Sequence, residues 1–160
     1  MVIVVAIVAV VVAVGVYATW LGSRLDRLDT RVEAAIASLD AQLRKRAGAA
    51  ARAAARNPAV AAKAGLAEAA HTVLQSSGPR DEAAESALTR AARAYVEATP
   101  SADHSELMAA ITRVQLARQF HNDAVHATRA LRGRRMVRLL RLSARRPLPA
   151  YFEIDDVLAS

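Results

Sequence analysis

The 160-residue chain contains no cysteine. Disulfides, zinc–thiolate centres and thiol nucleophiles are excluded, and the absence fits a reducing compartment. Aromatic residues make up 4% of the chain, too few for the stacking platforms on which single-stranded nucleic acids are held. After residue 21 there is no alternating run rich in β-branched residues, so strands are not expected. The chain has no G-x-G-x-x-G, no Walker motif and no H-E-x-x-H, and its Ser, Thr and Asp residues show no nucleophile–base spacing. No catalytic residue, no cofactor and no metal ligand is expected, and the chain does not read as an enzyme. One further absence is local. Residues 1–21, MVIVVAIVAVVVAVGVYATWL, carry no charged side chain.

That run decides the organisation. The 20 residues from Val2 to Leu21 make a helix of ~30 Å, the hydrocarbon thickness of a bilayer. The helix of a soluble core would show a polar face. Tyr17 and Trp20 lie where an interfacial aromatic belt is expected. The rival reading is a cleaved signal peptide, for which Val16-Tyr17-Ala18 offers a small-residue site. No Lys or Arg precedes the run, however, and the run exceeds a signal's apolar core. Arg24, Arg27 and Arg31 follow it, interleaved with Asp26 and Asp29. Positive residues favour the cytoplasmic side, so the expected arrangement is a membrane crossed once, with the remaining residues cytoplasmic.

Alanine is abundant and is the best helix former. Leu25, Leu28, Val32, Ile36, Leu39 and Leu43 recur at steps of three or four, which predicts an amphipathic helix continuing through Gly22 to about Arg56. Asn57-Pro58 reads as an N-cap with proline in the first turn of a second helix. That helix carries Val60, Ala64, Ala67, Ala70 and Leu74 up to Gly78-Pro79. A third begins near Asp81 with Ala84, Leu88, Ala91, Tyr95 and Ala98, and Thr99-Pro100 ends it. A fourth opens on Asp103-His-Ser-Glu106, spaced like a capping box. Its stripe is Leu107, Ala110, Val114, Ala117, His121, Ala124, Thr128 and Leu131. The expected fold is all-α: a transmembrane helix (1–21) continuing into an antiparallel up-down four-helix bundle of long helices (22–131), then a basic tail and C-terminal segment (132–160). The alanine-rich, coiled-coil-like seam buries little area per residue. It suits a modestly stable bundle helped by its anchor, by a protein partner or by homo-oligomerisation.

Two segments carry a resemblance. LDRLDTRVEAAIASLDAQLRKR (25–46) directly follows the apolar run. QLARQFHNDAV (115–125) is followed by a basic stretch and PAYFEIDD (149–156). In this order and spacing they resemble the LemA family of bacterial membrane proteins. The match is close at Arg31-Val32-Glu33, Gln42 to Arg46, Ala117 to Phe120, Asn122 to Val125 and Phe152-Glu153. The sequence departs at AGAAARAAA (47–55), where the family usually has an Asp-Leu-Ile-Pro-Asn-Leu-like run, and at His121, where it commonly has Tyr. The resemblance implies a single N-terminal anchor, a long antiparallel helical bundle and no established enzymatic activity.

The tail holds the densest charge. Arg129, Arg132, Arg134, Arg135, Arg138, Arg141, Arg145 and Arg146 occur without an acidic residue among them. These +8 charges exceed the chain's formal +7, so the rest sums to −1. Val137, Leu139, Leu140 and Leu142 interleave, which is the composition of an interfacial helix. Four alternating helices return the tail to the membrane surface, where anionic head groups reward arginine. A solvated basic linker is the plain alternative. Nucleic acid is a weaker one, because no recognition fold accompanies the arginines. His121 and His126, five apart, project about 140° from each other on a helix and cannot share a metal as an i, i+4 pair does.

Arg118, Gln119, Asn122 and Asp123 form either i, i+4 structural pairs or a polar interaction face. Gln42 and Arg44 to Arg46 read as a solvated face. Pro147 and Pro149 block helix, so AYFEIDDVLAS either caps the bundle or serves as a linear motif for a partner. Together these features point to a single-pass, non-catalytic helical-bundle protein acting through protein or membrane-surface interaction. The alternatives are a membrane-tethered nucleic-acid binder, or a secreted helical protein if the N-terminus is cleaved.

Overall fold

The computed structural model describes residues 1–76, 81–100, 102–135, 137 and 147–154. Every regular element among the described residues is a helix: α1 Val2–Arg56, α2 Pro58–Ala64, α3 Leu66–Gln75, α4 Glu82–Ala98 and α5 Ser105–Arg132. Helix α1 runs unbroken through Gly22, as its spacing predicts. Its first part is the one stretch among the described residues long and apolar enough to cross a membrane, and none of that window is buried against the protein.

The chain divides into two compact units, Met1–Ala34 with Asp123–Ala150, and Ala35–Asn122 with the segment from Tyr151. In the larger unit the main core has sixteen buried residues, ten of them alanine. Five come from the low-complexity run 47–55: Ala47, Ala49, Ala50, Ala53 and Ala54. Their spacing of three and four puts them on one face, where small side chains let neighbouring backbones approach. Leu66, Leu88, Tyr95, Leu107 and Ile111 supply the bulk. Arg46 meets Glu85 and Thr89, and Ala53 meets Tyr95. Residue numbers rise together on α1 and α4, so these helices run the same way. Arg52 meets Glu106, while Leu39 and Leu43 share a core with Val114 and Ala117. Numbers fall on α5 as they rise on α1, so these two run oppositely.

All eight residues of the expected α5 stripe, from Leu107 to Leu131, are buried. The expected second helix is instead two. Gly65 takes φ +67, a left-handed conformation in which its N–H caps α2 on Ala61 O and Ala62 O. Only glycine does this without Cβ strain. The break shifts the phase. Leu66, Ala70 and Val73 face inward on α3, while Ala67 and Leu74 of the expected stripe are exposed. Pro58 stands in the first turn of α2, but the Asn57 side chain caps nothing. It donates to Tyr95 Oη at 3.2 Å, and that hydroxyl donates to Ala53 O at 2.8 Å. A buried phenol needs its hydrogen bonds more than an exposed helix end needs its cap. The capping box of α5 is half formed. Asp103 Oδ1 accepts from Ser105 N–H at 2.9 Å, which holds its carboxyl below the usual range, but Glu106 turns away to Arg52.

In the smaller unit, Leu21, Leu25, Leu131 and Val137 form a compact apolar cluster with Leu28 against it. Arg132 lies beside it, buried, with Nη2 2.7 Å from Asp29 Oδ1.

Candidate functional site

Three places are candidates for function. The first is the buried ion pair of the larger unit. Arg46 is 1% exposed, so the expected solvated face holds for Arg44 and Lys45 but not for Arg46. Its Nη2 is 2.5 Å from Glu85 Oε2 and also donates to Glu85 O, while Nη1 donates to Thr89 Oγ1. Burial raises the Glu85 pKa, and the Arg46 charge offsets only part of that rise. The signal was present in the sequence. Arg46 lies three residues after Leu43 and seven after Leu39, on the apolar face, where a charge must be paired. The partner, 39 residues away, carries no local mark.

The second place is the C-terminal strap. Pro147 and Pro149 hold the chain extended, and extended backbone without a ladder needs other donors. Arg132 Nη1 donates to Pro147 O at 2.8 Å, and Arg129 Nε donates to Pro149 O at 2.8 Å. In the larger unit the Asn122 amide pairs with Phe152 in both directions, Nδ2 to O at 3.2 Å and N–H to Oδ1 at 3.0 Å. Phe152 is buried among Leu39, Leu43, Val114 and Ala117, and Glu153 N–H donates to Glu82 Oε1. Of the four residues singled out as an interaction face, Asn122 therefore faces the protein's own C-terminal segment. Arg118 is half-buried, and Gln119 and Asp123 are exposed.

The third place is the start of the basic tail. Arg134 and Arg135 are exposed, Arg129 is exposed yet engaged, and Arg132 is buried. Arg138, Arg141, Arg145 and Arg146 lie outside the described residues. Gly133 N–H bonds to Arg129 O and Arg134 N–H to Leu131 O. Beyond this turn, Val137 joins the apolar cluster of Leu21, Leu25 and Leu131.

An open groove of about 500 Å³ is lined by Gly65, Glu68, Thr72, Arg90 and alanines of α3 and α4. Among the described residues no group of three or more His, Asp and Glu side chains is placed to hold a metal. No family model, no curated protein and no solved structure matches the chain.

Proposed function

We propose that the protein is a single-pass membrane protein of LemA-like type whose helices form an antiparallel up-down bundle on the cytoplasmic face of a bacterial plasma membrane. It acts without catalysis, through protein contacts and contact of its basic tail with the membrane surface. The observation that carries the reading is the position of Val137. It shares an apolar cluster with Leu21 and Leu25, and so brings the start of the arginine tail near the end of the apolar run. The naked apolar helix and the opposite sense of α1 and α5 support it.

The absence of native cysteine makes the test clean. A single cysteine replacing Ala127, exposed on α5, should resist a membrane-impermeant maleimide in intact cells and react once the membrane is permeabilised. Labelling in intact cells would overturn the orientation. Recovery of a chain shortened beyond Ala18 in the medium would overturn the anchor.

A further inference from the structure

The end of the apolar run carries an aromatic and cationic cluster that the bundle does not use. Tyr17 and Trp20 are both exposed and stack with centroids 6.0 Å apart. The guanidinium of Arg24 lies 5.5 Å from the Trp20 ring centroid. One turn further on, exposed Arg27 donates its Nε to Ser23 O. Within the same unit, Val137 on Leu21 and Leu25 fixes the turn that bears exposed Arg134 and Arg135. Arg132 pairs with Asp29 in the same unit.

An aromatic pair flush with the end of a bilayer-length apolar helix sits at head-group depth. Arginine forks just beyond it match phosphate geometry. Resting on the membrane-anchor reading, we propose that Trp20, Arg24, Arg27, Arg134 and Arg135 form a collar that binds the phosphates of anionic lipids around the emerging helix. Its occupant is the lipid head group. The placement argues for this over a soluble anion, because the cations adjoin a lipid-length apolar surface. The buried Arg132–Asp29 pair acts as a spacer. It holds the end of α5 against α1 and keeps Asp29 from cancelling the collar's charge.

Trp20 is the only tryptophan, and it reports on the site directly. The full chain is reconstituted in phosphatidylcholine vesicles containing a minor fraction of phosphatidylglycerol, with bromine placed on the acyl chains of one lipid or the other. Brominated phosphatidylglycerol should quench Trp20 as though enriched roughly fivefold or more over its mole fraction, the factor contributed by one well-placed arginine. Replacing Arg24, Arg27, Arg134 and Arg135 together by glutamine should abolish the enrichment while brominated phosphatidylcholine still quenches. Equal quenching by the two lipids in the native chain overturns the collar and leaves the anchor standing. No quenching by either lipid overturns the anchor itself. Loss of the enrichment on adding inorganic phosphate at constant ionic strength assigns the site to a free anion and overturns the lipid. Its loss to a single-stranded oligonucleotide, at phosphate concentrations that have no effect, assigns it to nucleic acid and likewise overturns the lipid.

Discussion

Alanine fills most of the seam around Arg46, so this guanidinium supplies volume as well as charge. Removing one partner of a buried pair leaves the other uncompensated and costs about 3–5 kcal/mol, whereas replacing both by apolar groups is often neutral or better. Arg46→Met should therefore destabilise the full chain in detergent by about that amount at pH 7. The double variant Arg46→Met with Glu85→Met should recover most of the loss. Denaturant titration of the three proteins checks both expectations. The pH dependence has a definite sign. Because burial raises the Glu85 pKa above 4.5, the native state binds the extra proton in the window above that value. Stability is then lost as pH rises through the folded pKa. Glu106 behaves oppositely. The hydrogen bond from Arg52 holds its pKa down, so its contribution is present above pH 4.5 and lost as pH falls through the lowered value. Both Arg52 and Glu106 are well exposed, which makes the Glu106 effect the smaller. Relative to Glu85→Gln, the native chain should be favoured more at pH 4.5 than at pH 7, and a flat difference would contradict the raised pKa.

At the scale of elements, the two glycines Gly65 and Gly48 give opposite expectations. A side chain at Gly65 must adopt φ +67, which costs about 1–2 kcal/mol, so Gly65→Ala should lower the unfolding midpoint. Gly48 lies inside α1, and its added Cβ meets only the flexible end of Arg52 at 3.4 Å. Gly48→Ala should stabilise by about 0.5–1 kcal/mol. Paired thermal melts decide the matter, and equal shifts would sink the argument. This contrast also marks how far the fold could be read without coordinates. Apolar spacing located α1 and α5, where Leu, Val and Ile recur with the helical period, while α4 is marked at its ends by the Asp81 cap and Thr99-Pro100. In Pro58–Gln75 seven of the 18 positions are alanine and they lie on both faces, so spacing marks no single stripe and the glycine alone records the break.

The strap is a different kind of element. Pro147 and Pro149 revealed that it is not helix, and Phe152 that it has something to bury. The two-way clamp of Asn122 is a long-range pairing with no sequence period. Phe152→Ala in a closed core would cost about 3–5 kcal/mol. A terminal strap can simply detach, so its own docking energy caps the loss. Asn122→Ala and Phe152→Ala should both speed amide exchange at 150–154 while shifting the global unfolding transition by less than ~1 kcal/mol.

At the scale of the whole molecule, the two units differ in how much core they own. The larger has sixteen buried residues in one cluster and five in another. The smaller has one cluster of four, Leu21, Leu25, Leu131 and Val137, with buried Val32, Ala124 and Val125 and the Arg132–Asp29 pair. On the membrane-anchor reading a bilayer supports this unit as well, because there the uncharged run must satisfy its hydrogen bonds internally. Hence the smaller unit should be the first to open once lipid is withdrawn. Hydrogen exchange on the full chain should show faster opening at 123–135 than at 107–117 in detergent, with the difference narrowing in lipid bilayers. Arg132→Met strands the Asp29 carboxylate and frees Pro147 O. It should raise exchange at 123–135 several-fold while leaving the amides around Glu85 and Thr89 unchanged. If exchange accelerates equally at both places, the two units unfold as one and the membrane is not what holds the smaller together.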